Sequence, residues 1–239
     1  ANEWLAPRVR SVAVSFEETF LHAPLRSRYV TGLPLRPSLC ESAKRGGMKQ
    51  KERFCVLVVG GSQGAQPLNG LVLDALDGLE SEEKQKMAVI HIAGAKDYEW
   101  VSESYLKMKI ANEVFPFHEK IHELYPRADM AITRAGANTL FELSLFRLPA
   151  IVIPYPYAEA HQTANAAYFQ SREAVLCKNQ NTLTAEELRR EILHLMNNEK
   201  ERERFSKKLE EISSADAGER LVDLTENLLG TAKRTYAYC

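Results

Sequence analysis

Short apolar runs without polar alternation recur along this chain, each followed by a stretch with helical spacing, and this rhythm limits the folds open to it. Residues 53–59 (RFCVLVV) are the first, halted at Gly60-Gly61. A strand with one wet face alternates polar and apolar residues, whereas an unbroken apolar run fits a strand buried on both faces. Leu68, Leu71, Val72, Ala75, Leu76 and Leu79 then recur at helical spacing, which predicts a helix over 68–79. The same reading gives strands at 87–93 (MAVIHIA, stopped by Gly94), 113–117, 128–133, 150–153 (closed by Pro154 and Pro156) and 174–177. Helices are predicted at 98–110, 121–125, 138–146 and 162–172, and three more at 185–197, 200–212 and 218–229. Strand–helix units joined by short links form a parallel sheet with right-handed crossovers. The expected fold is therefore α/β: a doubly wound, Rossmann-like parallel sheet over 53–177, with a helical C-terminal region.

The first fifty residues follow another pattern. Strands are expected at 12–16 and 29–31. Arg8, Arg10, Arg26, Arg28 and Arg36 make the stretch locally basic, and 42–52 (SAKRGGMKQKE) reads as an exposed polar loop. The 239 residues are 45% hydrophobic and 26% charged, an ordinary globular composition. Lys and Arg total 31 against 32 Asp and Glu, a net charge of −1. Such a chain has no global field to hold nucleic acid, so any anion must be gripped by a local site. Cys40, Cys55, Cys177 and Cys239 share no metal-ligand spacing, and Cys55 sits in an apolar run, which points to a reducing compartment. No apolar run approaches the ~20 residues of a bilayer span, and no signal-peptide pattern opens the chain. It starts at Ala1 rather than Met, as a processed product or a piece of something longer would.

Ligands of open α/β sheets sit beyond the carboxyl ends of the strands, so the turns there are the candidates. Gly60-Gly61-Ser62-Gln63-Gly64-Ala65 lies between a strand and a helix. Glycines let the backbone approach a phosphate, the helix start offers free N–H groups, and Ser62 adds a hydroxyl. The turn is neither G-x-G-x-x-G nor a P-loop, and it equally fits a tight connection that needs Gly for geometry alone. Arg134–Glu142 (RAGANTLFE) repeats the arrangement. Gly136 and Ala137 leave room for a ligand, Asn138 or Thr139 fits a helix cap, and the Glu142 carboxylate can accept two hydrogen bonds from a vicinal diol such as a ribose. Glu142 also fits a residue that merely favours the helix dipole. His161 and Gln162 stand at the next helix start, suited either to sugar hydroxyls or to a plain polar surface. Gly32–Pro37 (GLPLRP) presents Arg36, a fork for phosphate oxygens or a solvated loop cation.

These segments, in this order, closely resemble the C-terminal half of the MurG family of glycosyltransferases. The resemblance covers nearly the whole chain and is most specific in GGSQGA, RAGANTLFE, LPAIVIPYPYAEAHQTANA (148–166) and GLPLR. It implies one half of a two-domain GT-B fold, the half that binds UDP-N-acetylglucosamine. Residues 1–52 would be an inter-domain remnant with the first elements of the donor domain, 53–230 the donor domain and 231–239 a tail. Arg36 and Ser62 would contact the diphosphate, with Gln63 beside them. His118, where the family pattern usually has an aliphatic residue, would face the uracil through its backbone. Ala137, Asn138 and Thr139 would offer donors to phosphate and sugar, Glu142 would hold the ribose, and Gln162, with His161, the N-acetylglucosamine hydroxyls.

The implied reaction is an inverting transfer of N-acetylglucosamine to lipid I, giving lipid II for peptidoglycan, at the cytoplasmic side of the bacterial membrane with peripheral contact. It implies no cofactor and no bound metal. The family's N-terminal Gly-rich loop, GGTGGH-like, appears nowhere in this sequence. Catalytic residues and the acceptor pocket are therefore expected in a missing half. A non-catalytic UDP-sugar binding subunit that needs an acceptor-domain partner, and a UDP-sugar epimerase on a similar fold, remain open. A dinucleotide-dependent dehydrogenase would need a fingerprint the chain lacks.

Overall fold

The computed structural model describes residues 2–17, 27–45, 52–61, 64–157 and 161–230. In chain order these form helix α1 (Asn2–Leu5), strands β1 (Val12–Val14) and β2 (Arg28–Val30), helix α2 (Pro37–Arg45), β3 (Phe54–Val59), α3 (Gln66–Asp77), α4 (Ser81–Gln85), β4 (Met87–Ile92) and α5 (Tyr98–Met108). Then follow β5 (Ala111–Phe115), two single 3-10 turns (Ile121–Glu123 and Tyr125–Arg127), β6 (Met130–Thr133), α6 (Ala137–Phe146), β7 (Ala150–Val152), α7 (His161–Ser171) and β8 (Leu176–Cys177). Helices α8 (Ala185–Asn197), α9 (Glu199–Ile212) and α10 (Ala217–Leu229) complete the described residues. They fall into two compact units, Ala1–Pro37 with Ser214–Cys239, and Ser38–Ser213.

The larger unit is a six-stranded, all-parallel sheet in the order β5-β4-β3-β6-β7-β8. Counted from β3 this is the doubly wound order 3-2-1-4-5-6, whose switch point lies between β3 and β6. The expected α/β fold is what the chain adopts. Five of the six β3 residues are buried, and all of β6 and β7, as their unbroken apolar runs require. Leu68, Val72 and Leu76 of α3 pack on this sheet together with Val101 and Tyr105 of α5 and Leu188, Ile192 and Leu195 of α8. At the amino edge, Asp129 Oδ2 accepts a 2.7 Å hydrogen bond from Cys55 N and fastens the start of β3 to β6.

Several boundaries differ from the sequence expectation, each for a local reason. The predicted loop 42–52 begins as the last turn of α2: Leu39 is buried, Ser42 Oγ donates to the His122 carbonyl at 2.7 Å, and residues 46–51 lie outside the described set. The strand expected at 113–117 is Ala111–Phe115, because Pro116 has no N–H to donate to a ladder. The helix expected at 121–125 is two 3-10 turns, the second with Pro126 in its first positions. Helix α4, not anticipated, is closed by a reciprocal Glu80/Glu83 capping box.

In the smaller unit β1 and β2 pair in parallel, Val12 opposite Arg28. Gly32 there takes φ +79°, and a Cβ would lie 2.4 Å from Ser214 Oγ. Arg10 Nη1 donates to the Leu228 carbonyl at 2.8 Å.

Candidate functional site

Three turns leave the carboxyl edge of the central strands β3, β6 and β7. The first, after β3, is closed tightly: a Cβ on Gly60 would meet Ala65 N at 2.9 Å. Gly64 has φ +77°, and its Cβ would lie 2.5 Å from Ala93 O and 2.9 Å from Gly94 Cα, so the turn rests backbone to backbone on the end of β4. Its N–H is spent on Gly61 O at 3.1 Å. Helix α3 then opens with no side-chain cap, which leaves the N–H groups of Gln66 and Leu68 (Pro67 between them has none) and the positive end of its dipole toward the edge. Ser62 and Gln63 lie outside the described residues.

The second turn follows β6. Thr133, buried, donates from Oγ1 to Val59 O at 3.0 Å and ties the ends of β3 and β6 together at the switch point. Arg134 is 5% exposed. Its Nη1 donates to Ile153 O at 3.0 Å, while Nε and Nη2 have no partner. Burial pushes its pKa down, and the Tyr155 ring at 5.5 Å works against that. Both backbone groups of Ala135 are held by α7: Gln162 Oε1 accepts from its N–H at 3.2 Å, and Asn165 Nδ2 donates to its carbonyl at 3.0 Å.

Gly136 is the N-cap of α6 and makes no capping bond. The expected cap by Asn138 or Thr139 is thus corrected. Ala137 already begins the helix, so Asn138, exposed, and Thr139, half-buried, lie inside its first turn. The open amides there remain available to an anion. Glu142 sits in the second turn, 9% exposed, and its Oε2 accepts a 2.6 Å hydrogen bond from Tyr125 OH. A dipole role fades beyond the first turn; a buried carboxylate oriented by a phenol is instead built to accept hydrogen bonds. The Tyr125 ring is fixed by stacking on Phe146 at 4.9 Å.

The third turn follows β7. His161 is the exposed first residue of α7. Gln162 is half-buried, and its Oε1 also accepts from Tyr155 N at 2.9 Å. Its oxygen is therefore spent on two loop amides. His118, beyond the end of β5, is half-buried with its ring edge-to-face on Phe115 at 4.7 Å and its Nδ1 unpartnered. Arg36 is exposed in the smaller unit. The structure thus brings Ala137, Asn138, Thr139, Glu142, His161 and Gln162 to one sheet edge.

Sequence reasoning missed Tyr125, Arg134 and Asn165 as parts of this site. Arg134 and Asn165 stood within the recognised segments; nothing in the sequence pairs Tyr125 with Glu142. Among the described residues no group of three or more His, Cys, Asp or Glu is placed to hold a metal ion. No helix among them is long and apolar enough to cross a membrane.

The glycosyltransferase family 28 C-terminal domain matches residues 55–221. The chain belongs to that family. The family 28 match takes in the sheet from the second residue of β3 onward and all three turns of the larger unit. The chain is 34% identical over 230 residues to the UDP-N-acetylglucosamine–N-acetylmuramyl-(pentapeptide) pyrophosphoryl-undecaprenol N-acetylglucosamine transferase of Desulfotalea psychrophila, covering 96% of this chain and 62% of that one. The protein of that name from Thermodesulfovibrio yellowstonii is 33% identical, with 96% and 64% covered. The crystal structure of Acinetobacter baumannii MurG superimposes with a TM-score of 0.78 at 28% identity, covering 95% of this chain and 63% of that one. This chain therefore spans under two thirds of the length of each.

Proposed function

We propose that this chain is the donor-binding half of an inverting glycosyltransferase that moves N-acetylglucosamine from UDP-N-acetylglucosamine to an undecaprenyl-linked acceptor, lipid I, to form lipid II. The observation that carries the reading is the family 28 match laid over the switch-point edge, where uncapped helix starts face the same rim as a buried, phenol-oriented carboxylate. We place the donor domain at residues 53–230, of which 53–213 lie in the larger unit. The amides at the starts of α3 and α6, with Ser62 and Gln63, take the diphosphate; Glu142 takes the ribose diol; His118 lies by the uracil through its backbone; Gln162 and His161 take the sugar.

In the transfer the acceptor's C4 hydroxyl oxygen bonds to the anomeric carbon as the bond from that carbon to the β-phosphate oxygen breaks. The configuration inverts and UDP departs with the bonding electron pair. Charge grows on the diphosphate, and fixed amide dipoles stabilise it without reorganising. The base that takes the hydroxyl proton and the acceptor pocket belong to a half outside these 239 residues, as does the peripheral membrane contact. The names of the relatives favour transfer over epimerisation.

Calorimetric titration with UDP tests the reading. We expect saturable one-site binding by the wild-type chain and at least tenfold weaker binding by Glu142→Ala. Equal affinity in the two would remove the ribose assignment, and no binding by the wild type would remove the donor-site reading.

A further inference from the structure

Behind the β3–α3 turn, four side chains join in one hydrogen-bonded series that the donor-site reading does not use. Tyr105 OH lies 2.9 Å from His91 Nδ1, and His91 Nε2 lies 3.0 Å from Asn69 Oδ1. Asn69 Nδ2 is 2.8 Å from Asp97 Oδ2 and 2.9 Å from Ala93 O. Asn69, His91 and Tyr105 are fully buried. Both neighbours of Nδ2 are acceptors, so the amide nitrogen donates to them and Oδ1 must accept. That places the ring proton on His91 Nε2, and the bare Nδ1 accepts from the Tyr105 hydroxyl. Burial lowers the His91 pKa to about 3, so the neutral ring persists at ordinary pH. Each member has one direction available to it, and the Asn69 amide cannot flip without breaking the series at both ends.

What this amide holds lies under the turn. The Ala93 carbonyl that Asn69 grips is the oxygen on which Gly64 sits, at the 2.5 Å that a Cβ there would reach. Asn69 also lies in the first turn of α3, with its N–H bonded to Ala65 O at 2.9 Å. The same residue thus joins the helix start to the strand end that supports the turn. Ala93 is fixed from its other side as well, its N–H donating to Phe115 O at 2.9 Å.

We propose that Asn69 is a positioning residue for the diphosphate of the nucleotide, its amide oriented by His91 and Tyr105 so that the Ala93 carbonyl seats Gly64 and aims the amides at the start of α3. Asn69 touches no ligand; it acts through Gly64 and Ala93. The proposal rests on the donor-site reading and narrows it to the phosphate end of the ligand.

The test compares UDP with uridine, which lacks the phosphates. The full chain, Asn69→Ala and Tyr105→Phe are titrated with UDP by calorimetry and with uridine by NMR, and amide exchange is followed over residues 60–66. Losing a buried amide contact shifts the turn. We expect UDP to bind about tenfold more weakly to Asn69→Ala and about threefold more weakly to Tyr105→Phe, with uridine changed less than twofold and exchange of the turn faster in both variants. Should Asn69→Ala fail to fold cooperatively, Tyr105→Phe decides. Equal losses for UDP and uridine, or unchanged UDP affinity, would overturn the proposal. Absence of UDP binding by the wild type would overturn the donor-site reading and this proposal together, whereas normal wild-type binding with an unaltered UDP-to-uridine ratio overturns the proposal alone.

Discussion

Replacing Gly64 by Ala puts the packing of the first turn to a direct test. At φ +77° an L side chain pays roughly 1–2 kcal/mol of backbone strain. The new Cβ would also fall 2.5 Å from Ala93 O and 2.9 Å from Gly94 Cα. Both are backbone atoms that no rotamer change can move, and relieving such an overlap costs about 1–3 kcal/mol. The sum is about 2–5 kcal/mol, which for a chain of this size is a fall in melting temperature of roughly 4–20 °C. Gly61→Ala is the internal control. Its φ of +103° carries strain, but a Cβ there meets nothing within 4 Å, so only the first contribution applies. Differential scanning calorimetry of the two variants and the wild type, with UDP titration at 25 °C, reads both consequences. We expect Gly64→Ala to melt well below Gly61→Ala and to bind UDP more weakly than the wild type. A Gly64→Ala chain melting within 2 °C of the wild type, or above Gly61→Ala, would refute the claim that the turn rests on the end of β4.

Two further outcomes follow from buried polar groups. Tyr125→Phe deletes the donor to the Glu142 carboxylate at 2.6 Å and should destabilise the chain by about 1.5–3 kcal/mol while weakening UDP binding; an unshifted urea midpoint would count against the pairing. His91 has its pKa lowered from 6.5 to about 3, so between those values the unfolded chain binds a proton that the native chain does not. Stability is therefore complete above pH 6.5 and falls by up to about 1.4 kcal/mol per unit as the pH drops toward 3. Urea unfolding from pH 7.5 to 4.5 should show this slope in the wild type and a shallower one in His91→Gln; parallel slopes would contradict it.

Much of the fold was legible because its strands are buried on both faces, and such strands announce themselves as unbroken runs. FCVLVV, MAIT and AIV in β3, β6 and β7 needed no partner to be recognised. The turns after β3 and β6 were legible for a related reason: small residues between a strand and a helix restrict what can stand there. The polar pairings were not. Tyr125 meets Glu142 from 17 residues away and His91 meets Asn69 from 22, and neither separation reflects a helical or strand period. His91 passed as one polar residue in an apolar run, with nothing in MAVIHIA to tell a satisfied core histidine from a strained one. The first turn of α6 was misjudged because Asn138 and Thr139 are good capping residues, while the cap position itself went to Gly136, whose lack of a side chain leaves the amides uncovered.

The double hold of Gln162 and Asn165 on Ala135 bears on inhibitor design. With its N–H and its carbonyl both bonded to one helix, Ala135 has the peptide groups on both its sides tied to α7. A compound aimed at the turn after β6 should thus find a template that does not reshape itself around an awkward scaffold. Affinity there would be won by compounds already bent to the contour, and flexible analogues would bind less well in proportion to the torsions they must freeze.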